Sequence, residues 1–396
     1  MALASLTERS AGTRGRERWW LWPLALWLVS RLVSTAFLGA FAGVQEESSW
    51  TPARPDLLDY STMWDAHWYF IVAMSGYPSE LPVDETGHVG ENAWAFMPVY
   101  PMLARVLMLV GLPWEGAAVL LSLASSAGFA LVAYRLFQEL APGRERFALA
   151  LVLLSPVAPV FQLGYAEPLF LLLLAACLLA WRLRAWEWLW VLIPVMALTR
   201  PGGLAFAFAL GLWFLIRWFR HREGFPAGER WMLVGLGAWS ALWGVGWLIA
   251  CTIATGSASA YFDTELSWRS AYIGRQELVP FTPWPIGLEW WFQEWWPLWL
   301  VGIVGAAVAL LAGPWARGVG IEGRLWVIAY LAYLAAVWFP QSSTWRLLMP
   351  IFPAALIVAA VRPAWARGVL LAACIALQPV WIWFCWHVDG RDWTVP

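Results

Sequence analysis

Long apolar blocks are the feature that most restricts how this chain can fold. Examples are 147–163, 169–181, 201–216 and 231–254. Such blocks approach the roughly 20 residues that an α-helix needs to cross the hydrocarbon core of a bilayer. Only 13% of the residues are charged, whereas a soluble domain carries about a quarter. The pattern predicts an all-α polytopic membrane protein. It excludes an outer-membrane β-barrel, whose short strands alternate apolar and polar residues.

The arginines decide the predicted topology, because cytoplasmic loops of membrane proteins are enriched in basic residues. Most arginines fall in cytoplasmic segments only if the segment 95–111 does not cross the membrane. That segment is short and contains Pro98, Pro101 and Arg105, so it is interpreted as a re-entrant or interfacial helix. The prediction then has eleven spans: 19–41, 117–137, 147–162, 165–181, 185–199, 202–219, 231–254, 295–312, 325–340, 346–361 and 369–386.

This topology predicts one integral-membrane domain over 1–396, with a cytoplasmic N-terminus at 1–18 and two large outer loops. The first loop, 42–116, includes the interfacial segment and is acidic; the second is 256–294. The first span, 19–41, is too long for a cleavable signal peptide and lacks a small-residue cleavage site. Arg31 interrupts that apolar span, and we expect it to pack inside the bundle.

The residue types present limit the chemistry. All 25 basic residues are Arg, so Lys-based Schiff-base chemistry is excluded, and an anionic ligand must be bound by Arg, backbone amides or a metal. The four cysteines show no metal-ligand spacing and are interpreted as small buried hydrophobes. The net charge of −1 gives no indication of a nucleic-acid-binding surface.

Polar or turn-forming motifs fall at the predicted outer ends of several spans, so a functional site is expected where the outer loops meet the bundle. They are WDAHWY at 64–69, ENAWAFMPVYP at 91–101, GYAEP at 164–168, LTRPGG at 198–203 and PQSSTWR at 340–346.

Asp65 and His67 lie among aromatic residues in the first of these motifs. Asp65 is interpreted either as a helix cap or surface acid, or as a general base or cation ligand at a membrane cleft. Asp-x-His offers two metal ligands, but no third or fourth is visible. His67 is therefore interpreted as a residue that packs at the interface rather than as a metal ligand.

Arg200, Arg346 and Glu167 each allow two interpretations. The arginines are either interface residues with charged tips in water or clamps for an anion. Glu167 begins an apolar helix, where a carboxylate interacts well with the helix dipole. It would also lie beside Arg200 if the two hairpin ends meet.

Sugar transfer from a lipid-linked phosphosugar fits a site that contains an acid, two outer guanidinium groups and an aromatic wall. A base must deprotonate the acceptor hydroxyl, and the charge developing on the departing phosphate must be stabilised. Phosphate is a good leaving group, so the second carboxylate of a glycosidase is not needed.

Four motifs resemble, in the same order, those of a known family. WDAHWYFIVAMSGYP, ENAWAFMPVYP, GYAEPLF and ALTRPGGL are similar to motifs of the GPI mannosyltransferase family that adds the second mannose, the PIG-V-like family, and of its bacterial relatives. The resemblance covers about 19 to 362. That family belongs to the GT-C superfamily of integral-membrane glycosyltransferases, which use polyprenyl- or dolichyl-phosphate sugars on the outer or lumenal side.

The resemblance implies a GT-C-like bundle and a metal-independent, inverting mannosyl transfer with Asp65 as the catalytic base. No cofactor is implied beyond the lipid-linked donor. A bacterial plasma membrane is the expected location, with a glycolipid or glycan, rather than a GPI precursor, as acceptor. Some family members need a second subunit. The candidates for binding donor phosphate or substrate are Arg200, Arg346, His67, Tyr69, Glu91, Tyr100, Tyr165 and Glu167.

Two other functions stay open at this point. One is a transporter or flippase for a lipid-linked sugar, although no internal repeat of the kind common in transporters is visible. The other is a non-catalytic subunit of a glycosyltransferase complex. The sequence does not identify the acceptor.

Overall fold

A computed structural model describes residues 18–220 and 223–389. Within these residues the chain is helical and contains no strand beyond an isolated antiparallel bridge between Val83 and Val89. The predicted all-α class is therefore confirmed. The predicted cytoplasmic N-terminus, apart from residue 18, lies outside the described residues.

The α-helices are numbered here in chain order. They are α1 Leu21–Ala42, α2 Leu57–Tyr60, α3 Asp65–Ser75, α4 Val99–Leu109, α5 Trp114–Leu140, α6 Glu145–Leu153, α7 Glu167–Arg182, α8 Trp186–Ala197, α9 Gly203–Arg220, α10 Ala227–Thr255, α11 Ala260–Ile273, α12 Pro283–Phe292, α13 Trp296–Ala312, α14 Ile321–Val337, α15 Thr344–Leu347, α16 Ala355–Val358 and α17 Ala364–Trp381. Short 3₁₀ or π segments connect several of them.

Six helical segments of the described chain are long and apolar enough to cross a membrane. The other predicted spans fall on shorter helices, such as α8 with 12 residues. The six are Leu21–Ala42, Trp114–Leu140, Gly203–Arg220, Ala227–Thr255, Pro283–Ala312 and Ala364–Trp386.

Two of the predicted spans are not continuous helices. The segment 147–162 ends its α-helix at Leu153 and resumes as the 3₁₀ turn Ala158–Gln162, and 346–361 is broken by the 3₁₀ segment Met349–Ala354. Prolines lie at both breaks, and proline removes a backbone donor and clashes with the preceding turn. The apolar length of these segments therefore did not indicate that their helices are interrupted.

Arg31 packs inside the bundle, as predicted, and it stabilises the first of these breaks. Its side chain is buried in α1 and donates hydrogen bonds to the carbonyl oxygens of Ala158 at 2.8 Å and Leu153 at 3.3 Å, and to Gln162 Oε1 at 3.3 Å. A break in a helix leaves carbonyl groups without partners, and inside a membrane this is tolerated only where protein groups satisfy them.

The core lies where α5 packs against α7 and where α9 packs against α10 and α14. The α9–α10 contact is a backbone contact: a Cβ added to Gly203 would lie 2.7 Å from the Cα of Gly244. Ser240 also donates a 2.7 Å hydrogen bond to the carbonyl oxygen of Gly203. This contact fixes the start of α9, directly after the turn that carries Arg200.

The segment 95–111 contains one helix, α4, of 11 residues. At 1.5 Å per residue this helix is about 16 Å long, too short to cross a bilayer alone. The first large loop also contains α3, and the second contains α11 and α12. The placement of both loops on the outer side of the membrane stays a prediction.

Candidate active site

Asp65 is the first residue of α3, and a rare backbone conformation precedes it. Trp64 has φ 57° and ψ −123°, which is unusual for a bulky residue. Its indole is held by a 3.0 Å hydrogen bond to the carbonyl oxygen of Trp386 and by the ring of Trp50. Such conformations persist where surrounding contacts enforce them, and they are frequent at functional sites.

The Asp65 carboxylate is paired with Arg346. Asp65 Oδ2 lies 2.5 Å from Arg346 Nη1, and the two side chains are 18% and 6% exposed. The Arg346 guanidinium also lies over the ring of Tyr165, 4.8 Å from its centroid. The hydroxyl oxygen of Tyr165 accepts a 3.2 Å hydrogen bond from the backbone N–H of Asp65. Tyr165 therefore contacts both partners of the ion pair.

Glu167 joins the two arginines. Its Oε1 lies 2.9 Å from Arg200 Nη1 and 3.0 Å from Arg346 Nη1, and its side chain is only 3% exposed. The structure thus places Glu167 beside Arg200, as the sequence predicted for hairpin ends that meet. Neither Glu167 oxygen has hydrogen-bond geometry with a described residue. Charge attraction, with the N-terminus of α7, therefore stabilises the carboxylate.

We call Asp65, Glu167, Arg200 and Arg346 the ion cluster. It brings together residues from α3, the start of α7, the α8–α9 turn and α15, and its formal charges cancel. Buried charges are expensive unless they are paired, and charged groups within a membrane protein commonly mark functional sites. Burial lowers the pKa of Arg200, but the charges of Glu167, Tyr69 and Asp65 together raise it by more, so the pKa lies above its usual value.

Tyr69 and Tyr100 lie side by side behind the ion cluster. Tyr69 is buried, with its ring edge-on to Phe96 and Tyr100. Burial raises the pKa of Tyr69, and the charges that act on it are those of the ion cluster. Its hydroxyl makes no hydrogen bond with a described residue. The Tyr100 hydroxyl is already engaged by α5: it donates to the carbonyl oxygen of Ala118 at 3.0 Å and lies 3.0 Å from Ser122 Oγ.

His67 and Glu91 form no hydrogen bond or ion pair with the ion cluster in the described part of the chain. His67 is exposed and packs edge-on against Trp50, with ring centroids 5.8 Å apart. Glu91 is exposed and lines a separate groove beside α3. Their predicted roles in substrate binding stay predictions.

The second loop packs against the first and carries charged residues that the sequence interpretation missed. Asn92 donates a 2.8 Å hydrogen bond to Thr264 of α11, and Arg275 forms an ion pair with Asp84. Helix α11 also brings Glu265 close enough to the ion cluster for the charges of Arg200 and Asp65 to act on it.

Burial raises the pKa of Glu265, although the Tyr261 hydroxyl and Arg269 act in the opposite direction. The signal in the sequence was an acid and a base four residues apart, Glu265 and Arg269, within an aromatic segment. Such a pair shares one helix face, but the segment was treated as a loop. In the part of the chain that the structure describes, no three His, Cys, Asp or Glu side chains are grouped to hold a metal ion.

Comparison with known proteins finds a similar fold but no matching sequence family. No family model and no curated protein sequence matches the chain. The helical arrangement is similar to that of a solved membrane protein, ArnT from Cupriavidus metallidurans, in its crystal structure bound to undecaprenyl phosphate, with a TM-score of 0.50 and 16% identity.

The aligned region covers 87% of this chain but only 62% of that ArnT chain. The apo structure of the same ArnT aligns with a TM-score of 0.46 and 14% identity. At these identities the likeness concerns the fold. It agrees with the GT-C-like bundle expected from the motifs.

Proposed function

We propose that this protein is an inverting glycosyltransferase that moves a mannosyl residue from a polyprenyl-phosphate donor to a hydroxyl group on the outer face of the bacterial plasma membrane. The observation that carries the proposal is the ion cluster, in which the Asp65 carboxylate lies against the Arg346 guanidinium and a second guanidinium, Arg200, lies across Glu167. One carboxylate and two guanidinium groups in one cluster support their assignment as the base and the phosphate ligands.

The proposed reaction is a single displacement. The acceptor oxygen attacks the anomeric carbon from the face opposite the phosphate, the bond between that carbon and the phosphate oxygen breaks, and its electron pair stays on the phosphate. The hydroxyl proton moves to Asp65. General base catalysis of this kind is typically worth about 10²- to 10⁴-fold in rate.

Arg200 and Arg346 would bind the phosphate, which gains one negative charge as the bond breaks. Guanidinium groups bind phosphate oxygens through strong, charge-assisted hydrogen bonds, and groups that stabilise charge in the transition state accelerate the reaction. Glu167 contacts both guanidinium groups, so its role here is to position them. Tyr69, with a free hydroxyl beside these charges, is a further ligand for the donor.

The identity of the donor rests on two supports. The ArnT structure with the similar fold contains undecaprenyl phosphate, which supports a polyprenyl-phosphate carrier. Mannose rests on the resemblance of the four motifs to the PIG-V-like family. The acceptor is a hydroxyl of a glycolipid or glycan, and no metal takes part in the proposed reaction.

Asp65→Asn tests the proposal. With purified protein and polyprenyl-phosphate mannose, the turnover number should fall by about 10²-fold or more, while labelled donor still binds. Asp59→Asn, the same change in the same loop but outside the ion cluster, is the matched control and should keep its turnover. Turnover of the Asp65 variant within a few-fold of the unchanged protein would contradict the assignment.

A further inference from the structure

A groove of about 590 Å³ lies beside α3 and has no part in the chemistry described above. Its lining includes Trp68, Ile71, Tyr77, Glu80 and Glu91, and we call it the Trp68 groove. We propose that it binds a sugar ring of the acceptor that carries no anionic group. This inference rests on the proposed function and assigns the acceptor side of the same site.

The position of the groove relative to Asp65 follows from helix geometry. Trp68, Ile71 and Ser75 all line it and recur at helical spacing along one face of α3. Asp65 is the first residue of the same helix, and residues three apart on a helix are neighbours on its surface. The groove therefore begins one turn from the proposed base, where an acceptor hydroxyl must arrive.

Trp68 provides a rigid aromatic wall. Its indole is stacked on Phe96, with centroids 5.7 Å apart and an interplanar angle of 6°, and it meets Trp268 edge-on at 5.3 Å. Tyr77 is fixed as well, because its hydroxyl donates a 2.8 Å hydrogen bond to the carbonyl oxygen of Phe96. Such amphipathic rings present apolar surface to the C–H groups of a sugar at little entropic cost.

The polar groups of the groove point to a hydroxyl-rich ligand without negative charge. Glu80 and Glu91 are exposed and have no ion-pair partner among the described residues. Ionised carboxylates only accept hydrogen bonds, and sugar hydroxyls donate them. The Asn92 amide, in contrast, is already bonded to Gly90, Thr264 and the backbone N–H of Trp94.

The charge of the groove also indicates that it does not bind the donor phosphate. Among the described residues that line it there is no arginine, so a phosphate would meet two carboxylates and no cation among these residues, and like charges at close range repel. The donor phosphate is therefore assigned to the ion cluster, and the acceptor is assigned to the groove.

Matched glycosides test the inference by saturation-transfer difference NMR on the whole protein in lipid nanodiscs, which avoids maltoside detergents. The probes are methyl α-glucopyranoside and its uronic acid counterpart. We expect the neutral glycoside to bind and the uronate to bind more weakly. The double change Glu80→Gln and Glu91→Gln should weaken binding of the neutral probe about tenfold and reduce the discrimination between the probes. Both side chains are exposed, so the fold should be unaffected.

Two control variants distinguish failure of the groove assignment from failure of the proposed function. Glu85→Gln changes an exposed acid of the same loop outside the groove and should leave binding unchanged. Asp65→Asn should lower transfer by about 10²-fold or more but retain glycoside binding. No binding of either probe, or equal binding to the double variant, overturns the groove assignment. If the unchanged protein transfers no sugar, the proposed function fails, whatever the probes show.

Discussion

At the scale of single residues, the ion cluster balances two carboxylates against two guanidinium groups. Arg346 is its centre, because one Nη1 atom contacts both Asp65 and Glu167. Removal of one member of a buried ion pair leaves an uncompensated charge and typically costs about 3–5 kcal/mol. Asp65→Asn also removes this charge, but it keeps the size and shape of the side chain and therefore disturbs the packing less than an alanine change does. Retained donor binding then separates the role in catalysis from the role in folding.

Two acids of the large loops should show opposite pH dependence. Burial raises the pKa of Glu265, so its ionisation destabilises the folded state as the pH rises above its usual pKa of 4.5. A hydrogen bond from Thr86 and the nearby Arg275 lower the pKa of Asp84. The charge of Asp84 therefore stabilises the folded state above the usual pKa of 3.8, and that contribution is lost as the pH falls.

The measurement is the thermal unfolding midpoint between pH 3 and pH 8. Glu265→Gln should raise the midpoint relative to the unchanged protein, increasingly with pH above 4.5. Asp84→Asn should lower it, with a difference that shrinks in acid. Glu265→Gln lowering the midpoint at neutral pH would contradict the burial of this carboxylate.

At the scale of elements, close helix packing sets the position of Arg200. The residue lies in the turn between α8 and α9, and α9 begins where the backbone of Gly203 meets Gly244 of α10. A Cβ at Gly203 has no room, because its nearest neighbours are backbone atoms. The helices must separate to admit one, and the turn with Arg200 would move with them.

Gly203→Ala is therefore expected to lower both stability and turnover. Overpacking of this kind costs about 1–3 kcal/mol. Gly211→Ala in the same helix is the matched control, because a Cβ there meets nothing within 4 Å, and Ala is favoured over Gly in helices by about 1 kcal/mol. Thermal unfolding and donor turnover of the two variants provide the comparison. Equal behaviour would show that the contact is not needed.

The sequence predicted elements better than their breaks and contacts. Apolar runs located the helices, and the motifs located Asp65, Glu167, Arg200 and Arg346, since polar groups at helix ends stand out in so apolar a chain. The breaks at 147–162 and 346–361 were missed because their apolar length concealed the effect of the prolines. Glu265 was missed because its proximity to the ion cluster depends on how α11 packs against the first loop, which no local pattern encodes.

At the scale of the whole molecule, the orientation in the membrane is the prediction that remains to be tested. The arginine distribution predicts the loop 42–116 outside and the segment between α9 and α10 inside. One exposed residue on each predicted side of the membrane can be labelled: Glu85 in the loop 42–116 and Glu223 between α9 and α10.

In a background without the four native cysteines, the Glu85→Cys variant should react with a membrane-impermeant maleimide in intact cells. The Glu223→Cys variant should react only after the cells are permeabilised. The reverse pattern would place the ion cluster on the cytoplasmic side and contradict the proposed location of the reaction.

We propose that the two arginines of the ion cluster bind the donor phosphate and that Asp65 of the same cluster is the base. An experimental structure of Asp65→Asn with bound polyprenyl-phosphate mannose tests it most directly. We expect phosphate oxygens within hydrogen-bond distance of Arg200 and Arg346, with residue 65 on the face of the anomeric carbon away from the phosphate. A phosphate bound elsewhere, with Arg346 still between residue 65 and Glu167, would contradict the claim.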